Sequence, residues 1–202
     1  MITIIDYGVA NLGSIKNMLK KIKCDFNVAL NKEDIFNANK IILPGVGSFD
    51  NGVKALKSKA FFEPLLEKAS SGIPLLGICL GMQLLAEASE EGNLEGLGLI
   101  KGKVKKFNFP KDKNLKIPHM CWNKIECENP SFLTSNLDSN SRFYFVHSYY
   151  FDCVDSKNIL ALTDYGIKFP SIVGKYKIFG TQFHPEKSHK YGMEIFSNFA
   201  KI

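Results

Sequence analysis

A cysteine between two glycines is the first feature of this sequence that could do chemistry. The segment "GICLG" has Cys79 at its centre, with Gly77 and Gly81 on either side. This spacing is typical of a nucleophile elbow, a strained strand-to-helix turn that needs small neighbours. A helix that begins directly after Cys79 would favour the thiolate and leave the Leu80 N–H free to face an oxyanion. The alternative is a small buried side chain in a strand–helix corner.

A histidine and a glutamate near the end of the chain could assist such a thiol. The segment "QFHPE", residues 182–186, places His184 and Glu186 two positions apart. In an extended segment these side chains would point the same way. The carboxylate could then orient the imidazole and stabilise its charged form. Taken alone, this is also an ordinary polar strand end, but with Cys79 it supplies the nucleophile, base and orienting group of an acyl transfer.

A glycine-rich loop is the third candidate element. The segment "LPGVGSF", residues 43–49, ends an apolar run with backbone that can lie close to a ligand. The N–H of Val46 or Gly47 could therefore add a second donor to an oxyanion hole. No lysine of a phosphate-binding loop follows, which argues against a phosphate site.

The elements that must position these motifs alternate between strand and helix in the first half. Apolar runs within residues 2–6, 26–30, 40–45 and 73–78 predict strands. Helices are predicted over 12–22, with Asn11 as the N-cap, over 51–70 with a break near Pro64, and over 80–89. The second half is β-rich, and residues 185–202 predict a closing helix. This order predicts a single α/β domain with a mixed, mostly parallel central sheet flanked by helices.

Composition narrows the class of protein. The chain has 202 residues, 45% of them hydrophobic, which is enough for one sizeable core. No apolar run of about 18 residues and no signal peptide are present, so we expect no membrane association. The five cysteines lack metal-binding or C-x-x-C spacing, which predicts reduced thiols, no metal and a cytoplasmic location. The net charge of +6 comes from scattered lysines without a recognition pattern, which argues against nucleic-acid binding.

These motifs, in this order, resemble the class I (triad) glutamine amidotransferases, and within them the glutaminase subunits of imidazole glycerol phosphate synthase. The elbow and "HPE" indicate a triad glutaminase, whereas "PHM-x-WN" and "FYFVHSY" point to this subunit. The similarity runs nearly end to end and includes "IDYGVANLGSIKN", "LPGVGSF", "GLGLIKGKV" and "GTQFHPEKS". The resemblance implies a flavodoxin-like amidotransferase fold over residues 1–202, with no cofactor.

The resemblance also implies a reaction. Cys79 attacks the side-chain amide of glutamine, with His184 as base and acid and Glu186 orienting it. Ammonia leaves, and water hydrolyses the resulting γ-glutamyl thioester to glutamate. The implied oxyanion hole consists of the backbone at Val46, Gly47 and Leu80. The positions that match the family's glutamine-binding residues are Gly47, Gln83, Glu91, His147, Ser148 and Tyr149.

A partner subunit is implied as well. In the family, ammonia enters a (β/α)8-barrel synthase subunit that docks over the glutaminase site and acts in histidine biosynthesis. The positions that match partner-facing residues are Asn11, Trp122, Asn123, Tyr144 and Lys187. One departure is Cys121, where the family usually has a glycine that allows a close approach or a special φ. This departure leaves open a paralogous glutaminase that supplies ammonia to a synthetase amidinating surface sugars.

Two other classes of function remain as alternatives. A cysteine hydrolase of related fold would keep the thiol and the histidine but has no need of Gln83 or of the "HMCWN" loop. An inactive scaffold would not need the complete set of Cys79, His184 and Glu186. Protection of Cys79 from alkylation by a glutamine analogue separates the amidotransferase from both.

Overall fold

Three strands that lead into the candidate motifs lie side by side at the centre of the main sheet. The computed structural model describes residues 1–110 and 115–202. Its strands β3 (Ile41–Gly45), β4 (Leu75–Cys79) and β13 (Ile178–Thr181) are neighbours and run parallel. Because the carboxyl ends of parallel strands share one edge, the loop after β3, the cysteine that ends β4 and the "HPE" segment after β13 meet there.

The main sheet is mixed, as the sequence predicts. The other strands in this sheet are β1 (Ile2–Ile5), β2 (Phe26–Ala29), β8 (Glu126–Cys127), β11 (Ile159–Asp164) and β12 (Lys168–Lys175). The order is β2-β1-β3-β4-β13-β12-β11-β8. The first five strands are parallel, and the last three join antiparallel to their neighbours. The predicted α/β fold with a mostly parallel sheet is confirmed.

Helices cover both faces of this sheet. They are α1 (Leu12–Lys21), α2 (Lys32–Phe36), α3 (Phe49–Ser58), α4 (Phe62–Ser70), α5 (Leu80–Gln83) and α6 (His189–Lys201). One apolar core joins α3 and α4 to the sheet through residues such as Phe49 and Leu65. A second core joins α1 and α6 to the opposite face through residues such as Leu19 and Phe199. None of the helices in the described ranges is both long and apolar enough to cross a bilayer.

Two small sheets, which the sequence does not reveal as separate units, accompany the main sheet. One contains β5 (Ala88–Ser89), β6 (Gly102–Lys106) and β10 (Tyr149–Cys153) in the order β10-β6-β5. The other is a ribbon of two antiparallel strands, β7 (His119–Lys124) and β9 (Arg142–His147). Along each strand of the ribbon, less exposed inner residues alternate with more exposed outer ones. The outer ribbon face consists of Met120, Trp122, Lys124, Arg142, Tyr144 and Val146.

The helix predicted over residues 80–89 begins at Leu80 as expected, but its predicted length is wrong. Helix α5 ends at Gln83, and two tight turns follow it. Residues 84–86 are fully buried, so no polar face favours a longer helix. The next residues instead pair with β6, where Ala88 lies opposite Lys103. A helix of this length has only a small macrodipole, so stabilisation of a Cys79 thiolate must come largely from other groups.

The break predicted near Pro64 in the helix over 51–70 is confirmed and lies at residues 59–61, just before α4. Helix α3 ends at Ser58, and Ala60 adopts a left-handed conformation with φ 55°. The N–H of Phe61 donates to Leu56 O, which closes the helix end. Pro64 lies in the first turn of α4, where a missing N–H costs little. The short helix α2 also went unpredicted, although Asn31 and Asp34 form a capping box at its start.

The glycines around Cys79 allow a close backbone approach. A Cβ added at Gly81 would overlap Leu43 O, and one at Gly77 would lie 2.5 Å from Gly81 O. Cys79 itself has φ 54° and ψ −108°, outside the usual regions for a residue with a side chain. The predicted nucleophile elbow is therefore a real, strained turn between β4 and α5.

We expect Gly81→Ala to destabilise the protein by about 3 kcal/mol or more, because the new methyl group overlaps the β3 backbone. Urea unfolding measures the change. The matched control is Gly13→Ala in α1, where an added Cβ meets only Asn11 Oδ1 at 3.6 Å. It should be neutral or stabilising by up to about 1 kcal/mol. Similar losses in both variants would contradict the close approach.

Candidate active site

The two acid–base residues of the predicted triad are in direct contact. His184 Nδ1 lies 2.7 Å from Glu186 Oε1, and both side chains are almost completely buried. The other imidazole nitrogen, Nε2, has no conventional hydrogen-bond partner among the described residues and lies on the side of Cys79. The geometry thus provides a histidine that is fixed by a carboxylate on one side and free to exchange a proton on the other.

Opposing effects set the pKa of His184. Burial is the largest of them and lowers the pKa, because a charged imidazole is poorly solvated inside the protein. The Cys79 thiolate and the Glu186 carboxylate favour the charged form and together raise the pKa to about 10. An imidazole whose charged form is favoured in this way can give its proton to a leaving group.

The contact between His184 and Glu186 does not arise in the predicted way. Pro185–Lys187 form a 3-10 turn rather than an extended segment. His184 precedes this turn, and its carbonyl accepts a hydrogen bond from the Ser188 hydroxyl at 2.6 Å. Proline is favourable at the first position of such a turn, since it has no N–H to satisfy there. The turn brings the two side chains together at a spacing of two residues.

A cavity of about 330 Å³ opens over Cys79. Its lining includes all six residues predicted to bind glutamine and two of the three triad residues, while Glu186 lies behind His184. Leu80 and Val46, predicted for the oxyanion hole, also line it, as do Pro118 and Val146, which the sequence did not suggest. The full lining is Val46, Gly47, Cys79, Leu80, Gln83, Glu91, Pro118, Val146, His147, Ser148, Tyr149 and His184.

Two polar residues of this cavity have clearly defined partners. Gln83 Nε2 donates to Tyr149 O and to Gln182 Oε1, each at 3.1 Å. Both of its amide hydrogens are thereby used, so only its Oε1 is left to contact a ligand. Glu91 Oε2 accepts the Phe49 N–H at the start of α3 at 2.8 Å, which leaves Oε1 as the oxygen available to a ligand.

The loop after β3 engages one of its two candidate oxyanion donors in a backbone hydrogen bond. The Val46 N–H donates to Val9 O at 2.8 Å. The next residue, Gly47, has φ 99°, a conformation that suits glycine. The Val46 side chain is 46% exposed, so this loop is not packed into the core.

Four of the five residues predicted to face a partner lie beside the cavity. Lys187 Nζ lies 5.5 Å from the centre of the Tyr144 ring, and Trp122 lies edge-on to the same ring. Asn11 and Lys187 also line a small cavity of about 20 Å³ behind His184 and Glu186. The fifth, Asn123, lies on the inner side of the ribbon.

A pair of buried histidines supports the wall of the glutamine cavity. His147 Nδ1 lies 2.8 Å from Tyr149 O, which can only accept, so this nitrogen carries the proton. Its Nε2 then accepts from His119 Nδ1 at 3.0 Å. His119 Nε2 in turn faces Asn123 Nδ2 at 3.4 Å. Burial lowers the pKa of His119 to about 4 and that of His147 to about 3, so both rings are neutral.

This arrangement changes the role expected of His147. Both of its ring nitrogens bind protein atoms, so its side chain supports the Ser148–Tyr149 backbone and has no free nitrogen for glutamine. Sequence reasoning also missed His119 and Gln182, which are completely buried. The only indication of them in the sequence is that each is a polar residue within a segment predicted to be a strand. The backbone at Cys121 has no positive φ, so a side chain fits where the family usually has glycine.

The chain belongs to the class I glutamine amidotransferases. The family model described as "Glutamine amidotransferase class-I" matches residues 3–202, and members of this family are enzymes. The resemblance seen in the sequence is confirmed.

Full-length relatives narrow this class. Imidazole glycerol phosphate synthase subunit HisH 2 of Methanococcus maripaludis is 53% identical over 202 residues, covering 100% of this chain and 99% of that protein. Subunit HisH of Leptospira borgpetersenii is 44% identical over 204 residues, covering 100% of both. Among solved structures, one described as a glutamine amidotransferase has a TM-score of 0.76 at 18% identity, over 100% of both chains. That likeness concerns the fold alone.

We expect the buried histidines to make the fold acid-sensitive. Above about pH 6.5 both histidines are neutral in the folded and in the unfolded chain, so they cause no loss of stability there. As the pH falls toward 4, the unfolded chain binds protons that the folded chain does not, and each histidine costs up to about 1.4 kcal/mol per pH unit. In His119→Gln, the free energy of unfolding should depend less steeply on pH in this range. Equal slopes in the parent protein and in His119→Gln would refute the neutral pair.

Proposed function

We propose that this chain is the glutaminase subunit of an imidazole glycerol phosphate synthase in histidine biosynthesis. It hydrolyses glutamine to glutamate and ammonia and passes the ammonia to a synthase subunit. The main support is the joint placement of Cys79, His184 and Glu186 at a cavity lined by every predicted glutamine-binding residue. The names of the full-length relatives favour this acceptor over a sugar-amidinating synthetase. All five cysteines are free thiols, which suits the cytoplasm.

The geometry accounts for the steps of the reaction. The Cys79 thiolate attacks the amide carbon of glutamine, and the carbonyl electron pair moves onto the oxygen. The Leu80 N–H and a donor from the loop after β3 stabilise this oxyanion. His184 protonates the nitrogen, the C–N bond breaks and ammonia leaves. Water then adds to the thioester carbonyl while His184 takes its proton, and the C–S bond breaks to restore the thiolate.

The outer ribbon face is the surface that we assign to the partner, a (β/α)8-barrel synthase subunit in this proposal. Met120 is 58% exposed and Trp122 is 42% exposed, although both are large apolar residues. Val146, on the same face, also lines the cavity over Cys79. An exposed apolar surface at the mouth of an ammonia-producing site suits a partner that receives the ammonia without release to solvent.

We expect Cys79→Ala to abolish glutamine hydrolysis and Cys121→Ala to retain it. Cys79 ends β4 at the cavity, whereas Cys121 lies on β7 and burial raises the pKa of its thiol. Glutamate release measures the activity, and a glutamine analogue should protect Cys79 from iodoacetamide. Equal loss in both variants would overturn the assignment of the nucleophile.

We also expect the isolated chain to be a weak glutaminase that its partner stimulates about 100- to 1000-fold. The Val46 N–H is held by Val9 O, so it can serve as an oxyanion donor only after the loop rearranges. The measurement is glutamate release with and without the histidine-pathway barrel subunit of the same organism and its nucleotide substrate.

The possible outcomes of this mixing experiment separate the two parts of the proposal. Full turnover by the chain alone would refute the need for activation. No stimulation, with Cys79 still labelled by a glutamine analogue, would preserve the glutaminase and reject this partner.

A further inference from the structure

A buried glutamine next to the nucleophile has no role in the mechanism above. Gln182 follows β13 and is completely buried. Its side-chain Nε2 donates to Cys79 Sγ at 3.8 Å, and its Oε1 accepts from Gln83 Nε2 at 3.1 Å. Its backbone N–H donates to Ser171 O at 2.9 Å, which fixes the residue to β12.

The orientation of the Gln182 amide follows from its neighbours. Tyr149 O is a carbonyl oxygen and can only accept, so the nitrogen of the Gln83 amide must face it. The second hydrogen on that nitrogen points at Gln182 and requires an acceptor there. The oxygen of the Gln182 amide therefore faces Gln83, and its nitrogen faces Cys79. The reverse orientation would place two N–H donors against each other and a carbonyl oxygen against the sulfur.

The histidine pair makes this orientation rigid. Tyr149 O also accepts from His147 Nδ1, so both of its lone pairs are used. The hydrogen-bond series that runs from Tyr149 O through the two histidines ends at Asn123. This end is equally constrained, because Asn123 Nδ2 donates to the backbone carbonyl of Asp164 at 2.9 Å. Because a backbone carbonyl accepts at each end, only one set of donor and acceptor assignments is possible in the hydrogen-bond series from Asn123 through His119 to His147. The Gln182 N–H is thus held toward the sulfur before substrate binds.

We propose that Gln182 is a further residue of the catalytic site, whose amide N–H stabilises the Cys79 sulfur when it is negatively charged. This inference rests on the proposed role of Cys79 as the nucleophile. With α5 too short to supply a large macrodipole, the Gln182 N–H is a fixed neutral donor that the described structure places against the sulfur. Hydrogen bonds to a charged acceptor are stronger than those to a neutral one.

The donor acts at two points of the reaction. Before attack, it increases the fraction of Cys79 present as thiolate. During deacylation, the C–S bond of the thioester breaks and its electron pair returns to sulfur, so the same N–H stabilises the leaving thiolate. Loss of the donor should therefore lower kcat by slowing thioester hydrolysis, with a smaller effect on KM, because Gln182 does not line the glutamine cavity.

The test measures the alkylation of Cys79 by iodoacetamide between pH 5 and 10, read by mass spectrometry of the Cys79 peptide. Gln182→Met removes the donor at similar length, and Gln182→Glu keeps the shape but places an anion near the sulfur. We expect the pH of half-maximal rate to rise by about 0.5–1 unit in Gln182→Met, and by more in Gln182→Glu. The glutamate variant also keeps an acceptor for Gln83, but its charge raises this pH whether or not the native amide is a donor. Gln182→Leu, which lacks both the donor and the charge, therefore tests the proposal if the methionine variant does not fold.

The matched control is Asn198→Leu, which removes another buried amide. Asn198 donates to Leu133 O and Ser135 O, and it is bonded to none of the residues of the cavity. It should lower thermal stability without moving the alkylation profile. An unchanged profile in folded Gln182 variants, or the same shift in Asn198→Leu, would overturn the proposal.

The alkylation assay needs neither glutamine nor a partner, so its outcome is independent of the acceptor. A shifted profile in a chain that fails to hydrolyse glutamine would preserve the role of Gln182 and reject the glutaminase. Normal glutamine hydrolysis with an unchanged alkylation profile in the Gln182 variants would preserve the glutaminase and reject the role of Gln182.

Discussion

The close approach between the turn after β4 and the backbone of β3 is the constraint on which the site depends. There is no space for a side chain at Gly81, because the carbonyl of Leu43 occupies that position. This contact forces the chain to reverse sharply at Cys79, which takes a left-handed φ of 54°. The thiol therefore projects at the edge of the sheet between the ends of its two neighbouring strands, β3 and β13, which lead into the loop predicted to form the oxyanion hole and into the predicted acid–base pair.

Such a turn costs of the order of 1–3 kcal/mol, and the surrounding sheet must offset that cost. Strand β4 is fully buried and hydrogen-bonded on both sides, to β3 and to β13. The same region contains two buried polar atoms that lack a partner among the described residues, Tyr7 Oη and Glu186 Oε2. Strain and unsatisfied polar groups thus concentrate where substrate and proton transfer would use them.

The sequence was a good guide to this edge because its chemistry depends on short spacings. Gly77, Cys79 and Gly81 predicted the elbow from the room that a tight turn needs. His184 and Glu186 were paired correctly, but the extended geometry assumed for them was wrong, since a local turn brings them together just as well. The predicted length of the helix over residues 80–89 was wrong because pairing with β6 outweighed an apolar run with no periodicity. His119 and Gln182 could not be found, because their roles depend on partners 28 and 103 residues away.

The two walls of the cavity differ in how firmly they are held, and this difference suggests where activity is controlled. One wall, formed by Gln83, His147 and Tyr149, belongs to a hydrogen-bond network whose every direction is fixed by backbone carbonyls. To reorient one member would leave a buried donor or acceptor unpaired, at about 1–3 kcal/mol. The opposite wall is held in the resting position by the Val46–Val9 hydrogen bond, worth about 1 kcal/mol. Moving the loop after β3 would therefore cost little free energy, whereas moving the opposite wall would break several buried hydrogen bonds.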